Sequence, residues 1–143
     1  MGDPEVTAED LARVHAQAMD SGPAWSAADF AGLLAAPGVF ALGDDRGVAL
    51  GRVAADEAEL LTIAVLPGHR GAGVGRSLLA AFETEAARAG ARVAFLEVAA
   101  DNHAARALYT RGGYVETGRR KGYYRLPEGG RTDALTMTRA LHP

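Results

Sequence analysis

Arg70-Gly71-Ala72-Gly73-Val74-Gly75-Arg76 stands between an apolar run, Leu60-Leu61-Thr62-Ile63-Ala64-Val65, and a segment in which Val74, Leu78, Phe82 and Ala86 recur every four positions. The run reads as a central strand, and the recurring set as one face of a helix over residues 74–89. Gly90 is placed as that helix's stop. Glycines between strand and helix let the backbone approach a ligand closely. N–H groups of a helix's first turn point outward and carry the positive end of its dipole. Such a loop suits an anion such as a pyrophosphate, and Arg70 and Arg76 add charged donors. Two common phosphate loops do not fit. A P-loop requires Lys after its last glycine, where Gly75 is followed by Arg76; a dinucleotide fingerprint requires a third glycine where Arg76 stands. The plain alternative is a glycine-rich turn with no ligand. Three glycines and two flanking arginines are more than a turn needs.

Upstream, Thr7-Ala8-Glu9-Asp10 has the form of a helix N-cap with an acid three residues on, and Leu11, Val14, Ala18 and Met19 follow at helical spacing. Ser21-Gly22-Pro23 ends this helix over 7–19. Ser26-Ala27-Ala28-Asp29 caps a second, to about Ala36, which Pro37-Gly38 ends. Val39–Leu42, a hairpin-type turn at Asp44-Asp45-Arg46-Gly47, Val48–Ala54 and Glu59–Leu66 follow as turn and strands. Beyond Gly90, Val93–Ala99 is another apolar strand, and Asp101 or Asn102 caps a helix to about Arg111, ended by Gly112-Gly113. Tyr114–Gly118 and Asp133–Arg139 read as final strands around a basic, glycine-rich connection. The order α, α, β, β, β, α, β, α, β, β predicts a single domain over 1–143, of α/β or α+β class.

The 143 residues are 48% hydrophobic, enough for one sizeable core and too few for two ordinary domains. No stretch approaches the ~20 apolar residues of a membrane span. The start, Met1-Gly2-Asp3-Pro4-Glu5, is unlike a secretory signal, so a cytoplasmic location is expected. The absence of cysteine excludes disulfides, thiolate metal sites and a cysteine nucleophile. His15, His69, His103 and His142 lack paired metal spacing, and no catalytic metal is expected. A net charge of −3 argues against general nucleic-acid binding, despite the local cluster Arg119-Arg120-Lys121.

The Arg-x-x-Gly-x-Gly pattern after a central strand resembles the acyl-CoA pyrophosphate loop of the GCN5-related N-acetyltransferases. A second block, Phe95-Leu96-Glu97-Val98, Asn102, Ala105, Leu108-Tyr109 and Gly113-Tyr114, is similar to the RimI-type branch of ribosomal-protein alanine N-acetyltransferases. Weaker agreement comes from Tyr123-Tyr124 with Asp133-Ala134 and Met137, and from Ala24-Trp25-Ser26. The resemblance covers roughly residues 7–140. It implies a mixed, mostly antiparallel sheet with helices on both faces, and acetyl transfer from acetyl-CoA to an amine. The family's first strand would fall in Met1–Val6, where Pro4 makes it short or missing. Gly113-Tyr114 stands where the family has glycine-phenylalanine.

By the same resemblance, Ile63, Ala64 and Val65 lie along the pantetheine and thioester. Gly71, Ala72, Gly73, Val74, Gly75 and Arg76 hold the pyrophosphate by backbone N–H groups, with Arg70 beside them. Asn102 bonds the pantetheine arm or merely caps its helix. Glu97, a carboxylate interrupting an apolar strand, is the candidate general base or a structural ion-pair partner; a desolvated position would favour the base role. Glu59, next to Glu57 at the preceding strand, is the fallback base. Tyr109 is the candidate general acid, or a packed aromatic; a phenol has a pKa of about 10 against about 8.5 for a thiol. Arg119–Tyr124 is a substrate-facing hairpin or a solvated loop, and Trp25 is a core anchor or a wall of a peptide groove.

An α-amino group titrates at about 7.7–8.0 and a lysine at about 10.4, so N-termini are far easier to neutralise near pH 7. This permits an N-terminal alanine of a ribosomal protein as acceptor. Lysine, a small amine, or a non-catalytic acyl-CoA-binding module are the alternatives, since one scaffold hosts many acceptors. No residue stands out as an acylated nucleophile, which favours direct transfer in a ternary complex.

Overall fold

The computed structural model describes residues 6–18 and 25–141. The expected positions of the first strand's residues 1–5, of Met19, of the break at Ser21-Gly22-Pro23, of Ala24 and of His142 lie outside them. Helix α1 (Ala8–Ala18) and helix α2 (Ala27–Ala35) precede β1 (Val39–Asp44), β2 (Gly47–Ala54) and β3 (Glu57–Val65). A single 3-10 turn (Pro67–His69) leads to α3 (Val74–Arg88), β4 (Val93–Ala99), α4 (His103–Arg111), β5 (Val115–Arg125) and β6 (Arg131–Ala140).

Local chemistry accounts for the boundaries. At α1, Asp10 N–H donates to Thr7 Oγ1 (3.1 Å) and Thr7 N–H to Asp10 Oδ2 (3.0 Å); Ser26 and Asp29 repeat this reciprocal box at α2. Asn102, not Asp101, caps α4, accepting from Ala105 N–H at 3.2 Å. Gly90 stops α3 with φ +100°.

The six strands form one sheet in the order β1-β2-β3-β4-β6-β5, antiparallel except for β3 beside β4. Alternation along the strands divides the core between the two faces. Val48 and Leu50 face Leu11, Val14 and Phe30 of α1 and α2. Ala49, Ala94, Leu96, Leu135 and Met137 face Leu78, Leu79 and Phe82 of α3 and Tyr109 of α4. The mixed sheet with helices on both faces is as the resemblance implied.

One register shift governs the site. Leu50 pairs with Thr62 and Gly51 with Leu60, so Leu61 is an extra residue bulged out of β3. The parallel ladder to β4 ends at the residue before it, Leu60 opposite Leu96. A bulge bends its strand and increases its twist. The two strands therefore run on unpaired with each other, β3 to Val65 and β4 to Ala99.

The last hairpin corrects the sequence reading. The segment after Gly118 is not a connection: β5 continues to Arg125. It is irregular, which obscured its period of two. Thr117 is an extra residue, and two more are accommodated between Arg120 and Tyr124. Asp133 organises this second bulge, accepting from Gly122 N–H at 2.9 Å and from Arg119 Nη1 at 3.0 Å. The Gly122 N–H is the main reason the Asp133 carboxyl titrates below the usual carboxylate range. Only Leu126–Gly130 connects β5 to β6.

Candidate functional site

The splay between β3 and β4 opens a cleft of about 700 Å³. Ile63, Ala64 and Val65 form one wall, residues 71–76 one end, and α4 the wall opposite. On its other edge β3 is paired to β2 from Glu57 to Val65, apart from the bulged Leu61. Past Leu60 its β4-facing backbone groups have no ladder partner among the described residues, and can pair with an extended ligand.

At the end of the cleft, Gly71 and Gly73 adopt φ +78° and +84°, the left-handed region that glycine enters without strain. Gly73 is the N-cap of α3, and no side chain caps this terminus. The first intrahelical donor is Ser77 N–H, 3.0 Å from Gly73 O. The amides of Val74, Gly75 and Arg76 are thus open to an anion where the helix dipole favours one. Gly71, Gly73, Val74, Gly75 and Arg76 line the cleft, whereas Ala72 does not.

Arg70 lines the cleft as well, but as a brace. Its Nε donates to Val65 O (3.3 Å) and its Nη2 to Ala18 O at the end of α1 (2.5 Å). Asn102 also lines the cleft, and only its Oδ1 is used by the helix cap, so its amide N–H groups remain for a ligand. Leu108 and Arg111 of α4 and His69 also line the cleft; Leu108 was quoted only within the family block, His69 only as a histidine without metal spacing, and none of the three was expected as a site residue. The signal was the spacing 104, 108, 111, which gives one helix face following Asn102.

Glu97 is the first residue of β4 beyond the end of the ladder, and its side chain lies on the face away from Leu96 and Val98. It is not among the cleft-lining residues, and its side chain is 29% exposed. The Tyr124 hydroxyl donates to Glu97 Oε1 at 2.9 Å, and Arg120 Nε lies 3.7 Å from Oε2. Arg120 also stands over the Tyr123 ring, 4.9 Å from its centroid. The basic segment of β5 therefore meets the Glu97 carboxylate. Glu59 is held differently. It pairs with Arg52 at 2.6 Å and lies opposite Phe95, where β3 and β4 are still joined.

Tyr109 is buried, its ring 6.1 Å from that of Tyr114 in an edge-to-face arrangement. Burial pushes its phenol up to about 12. Its neighbour Leu108 lines the cleft and Tyr109 does not. Trp25 is anchored by packing: it stacks on His15 at 5.4 Å and lies against Phe30, while staying 39% exposed.

Known proteins resemble this chain in sequence and in fold. A [ribosomal protein bS18]-alanine N-acetyltransferase of Haemophilus influenzae is 40% identical over 91 residues, 64% of this chain and 62% of that protein. The N-alpha-acetyltransferase RimI of Mycobacterium tuberculosis is 44% identical over 90 residues, 63% of this chain and 53% of that one. These matches thus span less than two thirds of the curated relatives. The crystal structure of the ribosomal-protein-S18-alanine N-acetyltransferase from Escherichia coli superposes with a TM-score of 0.83 at 30% identity, over 95% of this chain and 88% of that one. The profile of the acetyltransferase (GNAT) family matches residues 12–114, and the chain belongs to that family.

Proposed function

We propose that this protein transfers the acetyl group of acetyl-CoA to the N-terminal amine of a protein, an alanine of a ribosomal protein in particular. The observation that carries the reading is the end of the β3–β4 ladder at Leu60 and Leu96. Beyond it lies an open strand edge for the cosubstrate, and the first β4 residue is a carboxylate. The relatives named for bS18 alanine supply the choice of acceptor. On this reading 1–143 acts as one catalytic domain, working where ribosomal proteins are found, in the cytoplasm.

The Ile63–Val65 edge pairs with the amides of the pantetheine arm, aided by Asn102. The amides of residues 71–76 hold the pyrophosphate, and Arg76 adds charge. Bound acetyl-CoA supplies an activated acyl group as its thioester. Glu97 accepts the proton of the acceptor ammonium, directly or through water. This is a modest task for an amine titrating near 8. Glu59 is less suited, being ion-paired within the closed part of the sheet. The Tyr109 phenol keeps its proton at working pH. With its pKa at about 12, complete transfer to a thiolate is uphill. Its proposed contribution is a hydrogen bond to the departing sulfur, given from behind the cleft wall at Leu108.

The test is CoA-thiol release with two peptides of otherwise equal sequence. One has a free N-terminal alanine and no lysine; the other has a blocked N-terminus and an internal lysine. Turnover of the first alone is expected. Turnover of the second alone would move the enzyme to lysine. Silence on both with acetyl-CoA still bound would leave a small amine as acceptor, or a binding module.

A further inference from the structure

Glu97 is approached by two groups from one irregular stretch of β5, and they differ in kind. Arg120 is largely exposed, stands off at 3.7 Å from Oε2 and is shared with the Tyr123 ring. Such a pair is screened by water and salt and fixes little geometry. Tyr124 donates a 2.9 Å hydrogen bond to Oε1 from a better-enclosed ring that packs edge-to-face on Tyr123 at 5.1 Å. A hydrogen bond to a charged acceptor is directional and about twice as strong as a neutral one.

The stretch that presents Tyr124 is itself secured. Tyr124 pairs with Thr132, and between it and Arg120 the bulge is pinned by Asp133 through Gly122 N–H and Arg119. On the opposite side Glu97 pairs with Thr136 of the same strand, β6. β6 therefore sets both ends of the Tyr124–Glu97 contact. A chain of hydrogen bonds leads from the sheet to one carboxylate oxygen, and among the described residues the other faces only a loosely held cation.

We propose that Tyr124 is a positioning residue for the transfer: its hydroxyl fixes Glu97 through Oε1, so that Oε2 is presented to the acceptor's ammonium. The inference rests on the assignment of Glu97 as base. Tyr124 touches neither reacting atom. It acts by removing the rotational freedom of a side chain that is otherwise nearly a third exposed.

The experiment compares wild type, Tyr124→Phe and Glu97→Gln. Tyr124→Phe is expected to lower kcat on the alanine peptide by about tenfold or more, the scale of loss seen when a reacting group is misplaced. Its KM for acetyl-CoA and its Tm should stay at wild-type values. An unchanged kcat overturns the proposal. So does a loss of kcat accompanied by weakened acetyl-CoA binding and a lowered Tm, which is the mark of a merely structural tyrosine. The contact is read independently of turnover by following the Tyr124 ring carbon in alkaline NMR titrations. Burial first, and then the Glu97 contact, raises that phenol well above the usual tyrosine range. In Glu97→Gln it should ionise at lower pH than in wild type; identical titrations overturn the proposal. A wild-type enzyme inert toward the alanine peptide overturns the functional reading itself, before any variant is compared.

Discussion

The Tyr114 hydroxyl donates to Glu83 Oε2 at 2.9 Å and so ties α3 to the residue just before β5. Arg139 of β6 donates to the other oxygen, also at 2.9 Å. The hydroxyl that distinguishes Gly113-Tyr114 from the family's glycine-phenylalanine is therefore in use, deep in the core at 1% exposure. The two partners should respond unequally to deletion. Tyr114→Phe keeps the ring and leaves Glu83 with Arg139, at a cost of about 1 kcal/mol. Glu83→Ala strands a buried hydroxyl and leaves Arg139 without its partner, which brings the cost to about 2–3 kcal/mol. Urea midpoints at constant m-value measure both, and equal losses would refute the asymmetry.

Gly75 shares the cleft wall with Leu108. A Cβ built at Gly75 would lie 3.4 Å from Leu108 Cδ2, so anything larger than alanine intrudes on α4 or on the cleft. Gly75→Val is expected to weaken CoA binding by about tenfold, or ~1.4 kcal/mol. Calorimetric titration with CoA checks this. Unaltered affinity would mean that the ligand does not pass this wall.

Tyr109→Phe should bind acetyl-CoA as wild type does and lose most of kcat. The ring stays packed on Tyr114 while the hydroxyl proposed to meet the leaving sulfur is removed. Steady-state kinetics with the alanine peptide decide it, and equal kcat in the two proteins removes Tyr109 from the chemistry.

His15 predicts a pH dependence of stability. It is 5% exposed, its Nδ1 has no hydrogen-bond partner among the described residues, and burial holds its pKa below the usual 6.5. The folded state keeps the ring neutral while the unfolded chain takes up a proton as pH falls through about 6.5. The unfolded state then binds more protons, so this contribution is full above that pH and is lost below it. Urea midpoints should decline from pH 7.5 to 5.5, and decline less in His15→Leu. A decline of the same size in both proteins would assign the effect to other groups.

Much of this molecule could be read before any coordinates. Ser26 and Asp29 announced a capping box, and the Val74, Leu78, Phe82, Ala86 period announced α3. β4 was placed at Val93–Ala99, as observed. Gly51 shows a limit of such reading. It lies inside the strand read at Val48–Ala54, and a Cβ there would stand 2.7 Å from both Phe40 and Phe82. Its reason for being glycine lies in two rings from distant segments. β5 was read too short for a related cause, since its bulges erase the alternation on which strand recognition depends.

Helix ends, turns and the open amides of residues 71–76 come from interactions spanning a few residues, so the order of side chains is enough to specify them. The working geometry has another origin. The bulge at Leu61, the ladder's end at Leu60 and Leu96, the Arg70 brace to Ala18 and the Tyr124–Glu97 contact join segments 27 to 52 residues apart, or depend on strand register. Register is settled by the whole sheet packing against helices on both faces. A carboxylate in an apolar strand was visible from the start, and the fold alone placed it one residue past the point where two strands part.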